Sequence, residues 1–222
     1  MLKQRKTIGE MRAAFEWKVP ARFNIGVDIC DHVAARAPNE PAIIDGEVTT
    51  TFAELRALSN QLANVLSDSA KPGNRVAVLL PQSLETAIAH IAVLKMGAIS
   101  IPLFTLFGPE ALLHRLRDSG ARVLITNAQC AAVVAEIRDQ LPDLQTLLSV
   151  DGADQNATCL QNAMAGASDQ FDPFDTAADD PALLIYTSGT TGNPKGALHA
   201  HRVLLGHLPG VEMSHDFFPQ AG

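Results

Sequence analysis

Residues 186 to 196 read Tyr-Thr-Ser-Gly-Thr-Thr-Gly-Asn-Pro-Lys-Gly, and each residue type has a use around a polyphosphate. Gly189 and Gly192 let the backbone turn tightly and bring its N–H groups close to phosphate oxygens. The hydroxyls of Ser188, Thr190 and Thr191 offer donors to those oxygens or a ligand to Mg²⁺. Lys195 adds a positive charge and is the first basic residue after Arg138, so the local sequence has no other cation to neutralise phosphate. The candidate nucleotide-contacting residues are therefore Thr187, Ser188, Gly189, Thr190, Thr191, Gly192, Asn193, Pro194 and Lys195. The spacing excludes a Walker A loop: the fifth residue after Gly189 is Pro194, and Lys195 is followed by Gly196 instead of Ser or Thr. It is not a Gly-x-Gly-x-x-Gly fingerprint either, and a plain Gly/Thr-rich turn does not account for the Pro-Lys-Gly exit.

Such a loop needs a rigid strand to deliver it, and the apolar run Ala182 to Tyr186 does so directly. Upstream, short apolar strands alternate with amphipathic helices. Strands are predicted at 75–80, 99–103, 122–126 and 146–150, with helices at 84–96, 109–119 and 131–140 between them. Thr51 and Glu54 stand in capping-box spacing ahead of a helix ending near Ser69. Gly97 reads as a left-handed helix cap, and Gly108-Pro109-Glu110 as the start of a helix that ends at Gly120. Before these, Val27 to Ala37 has helical spacing, and Asp45-Gly46 predicts a hairpin turn within 42–52. The fold class is α/β: a mostly parallel, doubly wound sheet layered with helices, whose ligands sit at the carboxyl ends of strands. Residues 151–181 hold seven aspartates and no Lys or Arg, and read as an acidic surface connection with one short helix.

Composition removes several other classes. A net charge of −7 argues against nucleic-acid binding, which needs a basic surface to displace counterions. Residues 1–22 nevertheless form a basic arm of +4, leaving −11 for the remainder, and its lone Trp17 is expected to anchor it on the domain. The most apolar stretch, 87–106, is broken by His90, Lys95, Gly97 and Pro102, so no membrane span is expected. Cys30, Cys130 and Cys159 have neither metal-ligand spacing nor an even count, which suits a reducing cytoplasm. Cys130 is better read as a packed small side chain than as a nucleophile. His199 and His201 alternate along an expected strand, yet two imidazoles without a third ligand make a poor metal site, and one of them could line the nucleotide pocket.

The run YTSGTTGNPKG resembles, without a break, the signature loop of the AMP-forming acyl-CoA synthetase, or adenylate-forming, superfamily. TFAELRALSNQLANVL and LKMGAISIPLFTLFGPEALLHRLRDSGARVLIT resemble two core segments of the same family, so the likeness runs from about Phe23 onward. The PLF and FGPEAL wording is closest to acetyl- to medium-chain acyl-CoA synthetases. The resemblance implies an ATP-dependent, two-step ligase. A carboxylate attacks the α-phosphorus of Mg-ATP to form acyl-AMP and pyrophosphate, and the thiol of coenzyme A then displaces AMP. Lys195 and the loop hydroxyls would hold the pyrophosphate side, acting by position and charge. No residue here matches the family's catalytic lysine or acidic Mg²⁺ ligand, so no catalytic or metal residue is assigned. The expected layout is a basic arm (1–22) and an incomplete large AMP-binding domain (23–222), with the acidic connection (151–181) and phosphate loop (186–196) inside it and no C-terminal domain. The chain is thus expected to be the N-terminal portion of a longer enzyme. The alternative is a truncated, noncatalytic remnant with at most weak nucleotide binding, self-associating through exposed apolar surface.

Overall fold

The structure is a computed structural model, and it describes residues 2–153, 157–187 and 193–217. Thr7 opens the first helix, α1 (Ile8–Ala14), by accepting a hydrogen bond from the Glu10 amide. A wide helical turn at Val27–Asp31 runs into α2 (His32–Arg36). A separate antiparallel hairpin follows, β1 (Pro41–Asp45) with β2 (Val48–Thr51), and Gly46 takes its left-handed turn position at φ +59°. Thr51 then forms the complete predicted capping box with Glu54 at the start of α3 (Phe52–Leu66).

The alternation predicted for the middle of the chain is present: β3 (Arg75–Leu79), α4 (Leu84–Lys95), β4 (Ile99–Pro102), α5 (Pro109–Ser119), β5 (Val123–Thr126), α6 (Ala128–Ala135) and β6 (Thr146–Ser149). One boundary moves. The helix expected over 131–140 starts three residues earlier, because the Asn127 side chain accepts from the Cys130 amide and so caps it, and it gives way to a tighter turn at Arg138–Gln140. After β7 (Thr158–Cys159) and α7 (Leu160–Ala165) come the paired strands β8 (Pro181–Thr187) and β9 (Lys195–Ala200), and then α8 (Val203–Ser214).

One seven-stranded sheet has the order β7-β6-β5-β3-β4-β8-β9. All its pairings are parallel except β8 with β9. Side chains of β3 alternate between two cores: Val76 and Val78 pack with α3, α4 and α7, while Ala77 and Leu79 pack with α5 and α6. Helices therefore cover both faces, and the short apolar strands are buried on both sides.

Two expectations are corrected. The stretch 151–181 is more than a surface connection: β7 extends the sheet, and Leu160, Met164, Thr176 and Ala178 are buried. Its last part docks the N-terminal segment, with the Phe23 amide donating to the Thr176 carbonyl at 3.0 Å and the Asn24 side-chain amide donating to the Phe174 carbonyl at 3.3 Å. Those backbone partners give the acidic stretch its order, where composition alone suggests a loop. Trp17, in turn, is not a buried anchor. It is 56% exposed and meets Phe15 edge to face, and both rings line a 640 Å³ cavity between the arm and α8.

Candidate functional site

Because β8 runs parallel to β4, its last residue lies at the carboxyl edge of the sheet, where the topology predicts a ligand. There the chain leaves at Thr187 and returns at Lys195, and these two residues are cross-strand partners, one rung beyond Tyr186 and Gly196. The pairing closes the loop at its base and brings Thr187, Asn193, Pro194 and Lys195 together. Thr187, Asn193 and Lys195 are exposed and Pro194 is partly buried. Ser188, Gly189, Thr190, Thr191 and Gly192 lie outside the described residues.

Gly196 has a packing reason to lack a side chain. A Cβ there would sit 2.9 Å from Leu184 Cδ1 and 3.4 Å from Tyr186 Cζ, on the face where the tyrosine ring lies. That ring is held from α5. Tyr186 Oη donates to Asp118 Oδ2 at 2.7 Å, and the Arg115 guanidinium lies 3.9 Å from the Phe107 ring centre and 5.8 Å from that of Tyr186. His114, three residues before Arg117 on the same helix, reaches the other side of the loop, with Nε2 2.8 Å from the Pro194 carbonyl oxygen. Burial, reinforced by the hydrogen bond and the negative charge of Asp118, holds the Tyr186 hydroxyl in its protonated form well above its ordinary range. The motif did not draw attention to His114, Arg115 or Asp118; their common helix and the one-turn spacing of His114 and Asp118 were the available signal.

The histidines separate. His199 lies within β9, whereas His201 falls just past it and is fully buried, its Nδ1 accepting the Ile25 amide at 3.1 Å. Desolvation lowers the His201 pKa to about 4, against an opposing pull from Asp180. Among the described residues no group of three His, Cys, Asp or Glu could hold a metal ion. Cys30, Cys130 and Cys159 are free and buried, and burial raises the Cys130 thiol above its ordinary value, the opposite of what a nucleophile needs. No helix among the described residues is long and apolar enough to cross a membrane.

A helix-layered, mostly parallel sheet ending in a glycine- and threonine-rich hairpin is the N-terminal architecture of adenylate-forming enzymes. Residues 30–220 match the AMP-binding enzyme family, and the chain belongs to it. Long-chain-fatty-acid–CoA ligase FadD13 of Mycobacterium tuberculosis is 36% identical over 70% of this chain and 30% of its own length. The mouse mitochondrial acyl-coenzyme A synthetase ACSM3 is 33% identical over 86% of this chain and 35% of its own. The chain thus spans about a third of the length of these curated relatives. Among solved structures, the anthranilate CoA ligase AuaEII in complex with anthranoyl-AMP superposes with a TM-score of 0.79 at 28% identity, covering 83% of this chain and 36% of that one. An acyl-CoA synthetase of Brucella canis gives 0.76 at 28% identity, covering 93% and 38%.

Proposed function

We propose that this chain supplies the phosphate-holding portion of an ATP-dependent acid–thiol ligase that makes an acyl-AMP and then an acyl-CoA. The observation that carries the reading is the Thr187–Lys195 rung, which closes an eleven-residue signature at the carboxyl edge of the sheet. Lys195 and Asn193, both exposed at the loop exit, suit the oxygens of a polyphosphate. In the first step a carboxylate oxygen bonds to the α-phosphorus and pyrophosphate leaves; in the second the thiol sulfur of coenzyme A bonds to the acyl carbon and AMP leaves. The carboxylate is already ionised at neutral pH, so the first step needs no base. The loop contributes by holding the departing pyrophosphate in line and offsetting its charge.

Mg²⁺ fits this site as an ion carried by the ATP phosphates, since it keeps several waters and needs few protein ligands. The substrate in this reading is a short- to medium-chain carboxylic acid, on the strength of the PLF and FGPEAL segments. The curated relatives include a long-chain-fatty-acid ligase and a 3-hydroxybenzoate ligase, so acids of both kinds belong in the assay. A reducing compartment such as the cytoplasm suits three buried free thiols. Self-association through exposed apolar side chains, such as Leu198 on the edge strand β9, is part of the proposal too. Calorimetry with Mg-ATP tests the central claim. Lys195→Ala should weaken binding at least tenfold with an unchanged thermal midpoint, and equal affinity would remove the loop from its role.

A further inference from the structure

We propose that α5 is a clasp for the phosphate loop, in which His114 and Asp118 are positioning residues that fix its two ends and thereby set its affinity for a nucleotide polyphosphate. The inference rests on the phosphate-loop reading above and concerns residues outside the signature.

Both ends of the loop are tied to the same helix. At the entry, Asp118 accepts the Tyr186 hydroxyl at 2.7 Å, and at the exit His114 Nε2 lies 2.8 Å from the Pro194 carbonyl oxygen. The two side chains are one helical turn apart, and the His114 and Tyr186 rings meet edge to face with centres 6.2 Å apart. Arg115, between them and 8% exposed, stiffens the contact by lying over Phe107.

The direction of the exit bond follows from its partner. A carbonyl only accepts, so Nε2 of His114 carries the hydrogen and donates. Pro194 has no N–H, and its carbonyl is its sole backbone polar group. It stands one residue outside the Thr187–Lys195 rung, and the tie to α5 holds the chain at that point. The oxygen of Pro194 and the amide of Lys195 share one rigid peptide plane and point opposite ways. Holding that oxygen orients the plane from which Lys195 departs. Among the described residues, the strand that follows, β9, is the last in the sheet and pairs only with β8, so α5 is a second support for the exit.

The test uses the full chain. Wild type, His114→Phe, His114→Gln and Asp118→Ala are titrated with Mg-ATP, alongside thermal midpoints and amide exchange over 193–200. His114→Phe keeps a flat ring but has no donor, and Gln places an amide near the position of Nε2. The expected result is a fivefold to tenfold weaker affinity for His114→Phe, the size of one lost hydrogen bond. Restoration to within twofold by His114→Gln, nearly unchanged midpoints and faster exchange over 193–200 in His114→Phe alone complete the pattern. Asp118 is exposed, so Asp118→Ala should fold even if the ring substitution does not, and it should weaken binding at least twofold. Wild-type affinity in both His114→Phe and Asp118→Ala overturns the clasp, as does a His114→Gln variant no better than Phe. If Lys195→Ala lowers affinity while the clasp variants do not, the clasp alone fails; if Lys195→Ala also binds as wild type does, the phosphate-loop reading fails with it.

Discussion

Lys95 Nζ lies 3.0 Å from Asp31 in the interior, where no part of the lysine side chain is exposed. The ammonium also donates to Ser59 Oγ at 2.9 Å and Asn60 Oδ1 at 2.8 Å, so its three hydrogens are matched by three acceptors from two other segments. The lysine thereby ties α4 to α3 and to the turn before α2.

Removing one partner of this pair leaves a buried charge without compensation. Asp31→Leu should cost about 2 to 4 kcal/mol, a fall of roughly 5 to 15 °C in thermal midpoint at this chain length. The double variant Asp31→Leu with Lys95→Met should lose less than the two single losses combined. Denaturant titration of the four proteins measures that coupling, and simple additivity would show the pair to be incidental.

His201 makes stability depend on pH. Its folded pKa, about 4, lies below the ordinary 6.5, so the unfolded chain binds the proton first. The His201 contribution is therefore complete above about pH 6.5 and lost as pH falls towards 4, by at most about 3 kcal/mol. His90, hydrogen-bonded to Ser100 at 2.7 Å and also lowered by burial, adds a loss of the same sign. Asn in place of His201 keeps an acceptor for the Ile25 amide and has no titration. Chemical denaturation midpoints from pH 7 to pH 4 should fall less steeply in His201→Asn than in wild type; parallel curves would refute the assignment.

Tyr186 is the only tyrosine, so its ionisation has an unmixed signal. Burial first, and Asp118 second, keep the hydroxyl protonated well beyond pH 10. The folded chain should show no phenolate absorbance until pH is far above that value, and stability should fall as pH rises past 10, because the unfolded state releases the proton earlier. Asp118→Ala should move the onset to lower pH. An onset near 10 in the folded wild type would mean that the ring is not held as described.

Gly97 couples helix end to acidic stretch. At φ +66° a side chain is strained, and its Cβ would come within 2.6 Å of Phe174 Cδ1. Gly97→Ala should destabilise by about 2 to 4 kcal/mol, read as a lower denaturant midpoint. A loss below 1 kcal/mol would show that Phe174 moves aside freely.

Local signals carried most of the fold into view before any coordinates. Thr51 with Glu54, Gly97, Gly108-Pro109 and Gly120 act within one turn of their own position, and each stands where the pattern puts it. What escaped depends on distance in sequence. Thr158–Cys159 is too short for a period to register, and it becomes a strand because Ser149 and Leu148 present an open edge to it. The order of 174–178 comes from Phe23 and Asn24, about 150 residues away. The signature loop was visible in the sequence through its residue types, and the structure gathers its Thr187, Pro194 and Lys195 at one end of the hairpin. The helix that touches both of its ends was not, since nothing in the amphipathic pattern of 109–119 says which neighbour the His114–Asp118 face will meet.

The bond from the Ile25 amide to His201 spans 176 residues, and it gives the chain a timetable. At ribosomal speeds of roughly 5 to 20 residues per second, about 10 to 30 seconds separate the synthesis of its two ends. Strands β3 to β6 pair among themselves and can settle in that interval. The turn Val27–Asp31 can settle on α3 and α4 in the same interval, but Phe23 and Ile25, which have Leu94 beside them, lack Ala178, Ala182 and the bonds to Thr176 and His201 until 176–201 arrive. During translation, the segment 23–25 is thus among the last parts of this chain to find its place, although it is made before the whole sheet.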